Sequence, residues 1–140
     1  MKTSLRLPVA ILSLLAAATT CLALQENKIV SREEAKKMGV ALRSHPNGDA
    51  GVKVWIEFKT EGVLKNFTRV ELAINSGGKW LVDAPLLTQR PTPGNVSVFF
   101  SADPSLLDKC VLTIVVEDGA RERYGYQFPV RDFIVLVPAR

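Results

Sequence analysis

The sequence predicts an all-β fold: a two-layer antiparallel β-sandwich of about seven strands with a short N-terminal helix. Three observations carry that expectation. Cys110–Val116 holds six apolar residues in seven, mostly β-branched, and Asp118-Gly119 closes it as a turn. The run is too short and too branched for a buried helix, so it reads as a central strand covered on both faces. Val52, Val54, Ile56 and Phe58 alternate with Lys53, Trp55, Glu57 and Lys59, a period of two that fits a half-buried strand. Turn signals recur roughly every eight to twelve residues, the spacing of a sandwich rather than of helices.

In chain order, residues 24–30 are a short polar tether or a frayed first strand. Ser31-Arg-Glu-Glu34 fits a capping box, in which serine and glutamate satisfy each other's orphan amides. Glu33 and Glu34 in the first turn and Lys36 and Lys37 in the last suit the helix dipole, and Gly39 can close the end. A two-turn helix over residues 32–38 is expected. Residues 40–44 form a short strand ended by the turn-rich His45-Pro-Asn-Gly-Asp49. After the alternating strand, Glu61-Gly62 turns the chain, and Val70, Leu72 and Ile74 repeat the alternation. Asn75-Ser-Gly-Gly78 is a hairpin turn leading back through Lys79–Asp83. Residues 84–94 read as irregular, because Pro85, Pro91 and Pro93 exclude a central strand. Asn95–Ser101 is the next strand. Asp103 caps a single helical turn with Pro104 at its first position, and that turn enters Cys110–Val116. Tyr124–Phe128 follows, and Phe133–Val137, stopped by Pro138, is expected to be the last strand.

The chain has 140 residues, enough for one domain. Lys2 and Arg6, the apolar stretch from Leu7 to Ala18 and the small-x-small Cys21-Leu-Ala23 have the layout of a secretory leader. The expected organisation is therefore a signal peptide at 1–23, a tether and helix at 24–39 and a β-domain at 40–140. The apolar stretch is short for a membrane span and lacks a far charged flank. Acylation at Cys21 is a lesser alternative, since threonine precedes the cysteine. Loss of Lys2 and Arg6 removes two of 18 basic residues against 14 acidic ones, lowering the formal charge from +4 to +2. That balance does not point to nucleic acid or to an anionic membrane surface. It also leaves Cys110 as a lone thiol, so the fold must stand on its core without a disulfide.

The Asp103–Asp108 turn entering Cys110–Val116, with the hairpin that follows, resembles immunoglobulin and fibronectin type III-like domains across residues 40–137. The chain lacks the antibody Cys…Trp…Cys core, and Asp108 stands where a tyrosine corner would place tyrosine. A resemblance of this kind implies a fold and no function.

Chemistry-bearing residues are sparse. His45 is the only histidine; neither a placed serine nor the three or four ligands of a zinc site accompany it. Cys110 opens the most apolar strand and reads as an inert buried thiol. Asp103, Asp108, Glu117, Asp118 and Glu122 are the densest acidic set, but no calcium loop exists and caps and turns account for most of them. Trp55 shares a polar face with Lys53 and Glu57, where a large aromatic can anchor a ligand; Trp80, Tyr124 and Tyr126 are candidates to extend that patch. Asn66-Phe-Thr68 and Asn95-Val-Ser97 are sequons, relevant in a eukaryotic host.

The expectation is a small secreted or periplasmic binding module, non-catalytic and without cofactor. It would act through a sheet face or through the loops 44–51, 84–94 and 118–123, with Trp55, Lys53, Glu57, Arg90, Arg121 and Arg123 as candidate binding residues. The partner expected is a protein or a carbohydrate rather than nucleic acid. No membrane span is expected in the mature form, and a monomer or weak homo-oligomer is. A small hydrolase or metal-dependent enzyme, and a structural envelope or matrix component, are the alternatives.

Overall fold

The structure, a computed structural model, describes residues 26–120 and 122–135. The expected leader at 1–23, Cys21, Arg121 and residues 136–137 of the expected last strand lie outside the described residues. Eight strands are described: β1 (Glu26–Ile29), β2 (Ala41–Pro46), β3 (Val52–Lys59), β4 (Phe67–Ser76), β5 (Lys79–Leu86), β6 (Asn95–Ala102), β7 (Cys110–Glu117) and β8 (Arg123–Pro129). The one α-helix among the described residues, α1 (Arg32–Lys37), joins β1 to β2. Five strands form a sheet in the order β1-β8-β7-β4-β5, and three form a second in the order β2-β3-β6. Every pairing is antiparallel except β1 with β8, which is parallel.

The period of two decides which side chains meet. From the three-stranded sheet, Val54, Ile56 and Phe58 of β3 and Val96, Val98 and Phe100 of β6 are buried. Val70, Leu72 and Ile74 of β4, Leu112 and Ile114 of β7 and Phe128 of β8 come from the larger sheet and join the same core. Phe58 and Phe67 meet edge to face across the two sheets, ring centroids 5.1 Å apart. Two sheets sharing one core is compatible with a sandwich. Each fully buried aliphatic or aromatic side chain contributes about 1.5–3 kcal/mol from apolar burial.

β7 is the middle strand of its sheet, and both of its faces are closed to solvent at the centre: Ile114 and Val115 are both 0% exposed. On the outward side, Val115 sits between its register partners Arg69 and Gly125, and Thr113 between Glu71 and Gln127. The aliphatic stems of Arg69, Glu71 and Gln127 stand beside these small branched residues, and such stems cover apolar surface.

The helix forms as its caps require. Ser31 Oγ accepts from the Glu34 amide, and the Glu34 carboxylate accepts from the Ser31 amide at 3.0 Å. Ala35 turns into the core, and Lys28 of β1 pairs with Glu34 at 2.9 Å, tying the first strand to the helix. The β4–β5 hairpin turns on Gly77 and Gly78, with φ of 62° and 78°, between the paired Ser76 and Lys79. Two successive positive φ values define the turn that suits strand twist.

Three expectations need correction. β5 continues through Pro85 to Leu86, although that segment read as irregular; β5 is an edge strand, where a missing amide costs no ladder bond. Beyond it, Gln89 bridges to Ser97 of β6, so the chain crosses from the larger sheet to the smaller one. His45 and Pro46 likewise belong to β2 rather than to the turn expected after Ser44, and a 3-10 turn at Gly48–Ala50 separates β2 from β3. The expected last strand is absent over residues 133–135: a 3-10 turn at Val130–Asp132 ends at Phe133. Ile134 is buried, and the Phe133 ring tilts against Phe128 at 5.7 Å. The open edge of β8 is already filled by β1, which leaves no site for another strand there.

Candidate functional site: the outer face of the three-stranded sheet

β3 sends Lys53, Trp55, Glu57 and Lys59 outward because their neighbours are committed to the core. Pairing with β2 and β6 then builds rows across the face: His45–Lys53–Ser101, Arg43–Trp55–Phe99 and Ala41–Glu57–Ser97. Directly opposed residues on adjacent antiparallel strands have Cβ atoms about 5 Å apart, so Trp55 and Phe99 form one aromatic floor. The Lys53 ammonium lies 4.0 Å from the Phe99 ring centroid and 5.4 Å from that of Trp55. A cation over such rings is attracted by about 0.5–1 kcal/mol at an exposed site. Arg43 reaches Glu57 at 3.8 Å. Phe99 is 41% exposed, and Arg43, His45 and Ser101 are exposed too, so no layer of the described chain closes over this face.

Towards the Lys59 end the face deepens into a cleft of about 360 Å³. Glu57, Lys59, Asn95 and Ser97 form its strand side, and Pro91 and Thr92 its far wall. Asn95 is fixed there by donating to the Thr92 hydroxyl, and the Thr60 amide donates to Gly94 at 2.8 Å, closing the proline-containing segment against the end of β3. Floor and cleft therefore share Glu57 and form one continuous surface.

The other candidates are dispersed. Trp80 is 65% exposed but stands on β5, at the far edge of the other sheet. Tyr124 and Tyr126 turn toward the core on β8. Neither these nor Trp80 extends the Trp55 patch. Arg90 stacks over Phe67 at 6.0 Å, and Arg123 reaches Glu117 at 3.9 Å on the larger sheet; neither joins Trp55, and Arg121 lies outside the described residues. Phe99 was missed by the sequence reading, although the alternation of Val96, Val98 and Phe100 with Ser97, Phe99 and Ser101 already placed it outward. Of the sequons, Asn66 is exposed before β4, whereas Asn95 is half-buried in the cleft wall.

Several titratable groups outside this face serve the fold. Burial and the nearby Asp108 carboxylate push the Cys110 thiol up to about 11, and its Sγ donates to the Leu106 carbonyl at 3.3 Å. The Asp103 carboxylate accepts from the hydroxyl and amide of Ser105, which lowers its pKa. Asp118 accepts from the amides of Ala120 and Glu122, both at 2.9 Å, and the Tyr124 hydroxyl donates to Glu122 at 2.6 Å. Among the described residues no three His, Cys, Asp or Glu side chains are grouped to hold a metal ion, and no helix is long and apolar enough to cross a membrane. No family model, curated protein or solved structure matches this chain.

Proposed function

We propose that this chain is a small exported binding module, non-catalytic, that recognises its partner on the outer face of β2-β3-β6. The observation that carries the reading is the Trp55–Phe99 floor with Lys53 over both rings, Phe99 exposed and Trp55 half-buried. Paired aromatics on a rigid sheet lose little conformational entropy on binding and supply a large contact area. A catalytic reading finds little support. His45 and Ser101 share a row but flank Lys53; two strand spacings, about 10 Å, separate them, well beyond a proton-transfer hydrogen bond. The only described thiol is buried with a raised pKa, the reverse of an activated nucleophile. The leader layout at residues 1–23 supports export.

We also read the fold as fibronectin type III-like. The orders β2-β3-β6 and β8-β7-β4-β5 correspond to strands A-B-E and G-F-C-C′ of immunoglobulin-type sandwiches. The parallel β1 is an addition at the G edge.

The test is tryptophan emission in a Trp80→Phe background, which leaves Trp55 as the sole emitter, with iodide as quencher and a panel of oligosaccharides and peptides as ligands. Accessible emission that shifts with a ligand, and is lost on Phe99→Ser with the melting temperature kept, is the expected result. Blue, unquenched Trp55 emission, or binding measured by titration calorimetry that survives both Trp55→Ala and Phe99→Ser, would overturn the reading.

A further inference from the structure

We propose that the occupant of this face is an acidic oligosaccharide, its sugar rings stacked on Trp55 and Phe99 and its carboxylate or sulfate groups held by Lys53 and Lys59. The inference rests on the binding-face reading above and adds the ligand's chemistry.

Charge complementarity carries it. The face presents Arg43, Lys53 and Lys59 against a single carboxylate, Glu57. That carboxylate is already matched by Arg43, and among the described residues Lys53 and Lys59 are in no ion pair. Lys53 is held by the two rings alone, a weak partnership beside a charge-assisted bond to an anion. Its short path from the rings to a group just above them lets a ligand take both ring and cation. Six residues separate Lys53 from Lys59 along β3, about 20 Å, so the two cations suit an extended chain carrying repeated charges.

The polar groups between them favour a sugar. A pyranose offers an apolar C–H face to an aromatic ring and hydroxyls around its rim. Here the floor is aromatic, and Glu57, Ser97, Thr92 and Asn95 stand beside it in the cleft as hydroxyl partners. Glu57 accepts from sugar hydroxyls, which a deoxyoligonucleotide lacks along its chain, and single-stranded nucleic acid is usually held in a groove of unbroken positive charge beside stacking rings. An extended peptide commonly adds along a strand edge through main-chain bonds, and acidic side chains offer the aromatic floor no flat apolar face to stack on.

The experiment is titration of the uniformly ¹⁵N-labelled protein with four probes: an oligogalacturonate hexamer, a chondroitin sulfate hexasaccharide, neutral cellohexaose and a thymidine dodecamer. Shifts at the Trp55 indole N–H and at the amides of Lys53, Glu57 and Ser97 with an acidic sugar are expected. Binding should weaken as salt rises, and Lys53→Gln and Lys59→Gln should each reduce affinity about fivefold. The first two arms separate a carboxylate from a sulfate source. Equal binding of cellohexaose at these residues, unaffected by either lysine substitution, overturns the acidic class while leaving the face reading standing. Tighter binding of the thymidine dodecamer at the same residues overturns it in favour of nucleic acid. Shifts mapping elsewhere, or none with any probe at millimolar concentration, overturn the proposal; shifts elsewhere also remove the face reading.

Discussion

Replacing Gly51 by alanine isolates how the end of β3, and with it the Lys53 end of the aromatic floor, is held in place. Gly51 has φ 84° and ψ −132°, far from the wells open to L-residues, and such backbone costs about 1–3 kcal/mol in a side-chain-bearing residue. A Cβ there would also lie 2.3 Å from the Ala102 carbonyl oxygen and 3.0 Å from its carbon. Both are backbone atoms, so neither can rotate aside. Ala102 is the register partner of Val52; moving its carbonyl disturbs the last rung of the β3–β6 ladder, about 0.5–1.5 kcal/mol for a bond lost. The sum is about 3 kcal/mol, a fall in melting temperature of about 10 °C for a domain of this size.

Gly48 is the control. Its φ is 57° and nothing stands within 4 Å of a Cβ. The left-handed penalty of about 1–2 kcal/mol is there partly offset by the stiffer unfolded chain. Urea denaturation of both variants, with equal m-values, measures the difference. If Gly51→Ala falls within about 0.5 kcal/mol of Gly48→Ala, a scatter ordinary for neutral surface substitutions, the close approach of β6 to this glycine is not what fixes the strand end.

Three further outcomes follow from the same geometry. At pH 8 a thiol with a pKa of about 11 is only about one-thousandth ionised, so native Cys110 should react with a disulfide reagent at least about a hundredfold more slowly than in urea; full labelling of the native protein within minutes would contradict its burial. The Ser31 amide, Lys28 and the Ser31 hydroxyl hold the Glu34 carboxyl down from 4.5 to about 2. Its lowered pKa means that its support of β1 and α1 is complete above 4.5 and disappears as pH falls through 2. Carboxyl NMR should show a midpoint near 2 that rises in Lys28→Ala, and a midpoint at 4.5 in the wild type would dismiss the capping network. Expressed behind a secretory leader in a glycosylating eukaryotic cell, the chain should carry its glycan at exposed Asn66 and not at Asn95, whose amide is engaged by Thr92; peptide mapping that finds Asn95 the more occupied site would reverse that assignment.

Local patterns were legible where one short-range rule acts alone. The period of two marked β3, β4 and β6, the capping box marked α1, and Asp103-Pro104 marked the turn before β7. Half of the candidate site was legible for the same reason: alternation placed Lys53, Trp55 and Glu57 on one face. Phe99 lay within reach of the same rule and was passed over. Trp80 reads as an extension of the Trp55 patch on residue type alone, and Arg90 and Arg123 as candidates on the recognition loops; strand pairing separates all three from Trp55.

What the sequence by itself determined is which side of each strand faces the core, because that depends on neighbours one and two residues away. What only the tertiary structure decided is which strands stand side by side. β6 rather than β5 lies next to β3, so Phe99 and not Trp80 completes the aromatic floor. β1 takes the open edge of β8, so Phe133 and Ile134 close the core from a turn instead of extending the sheet. An edge position lets β5 run through Pro85. Strand order is set by how two sheets jointly bury their apolar faces, a sum over residues far apart in the chain, and no local pattern encodes it.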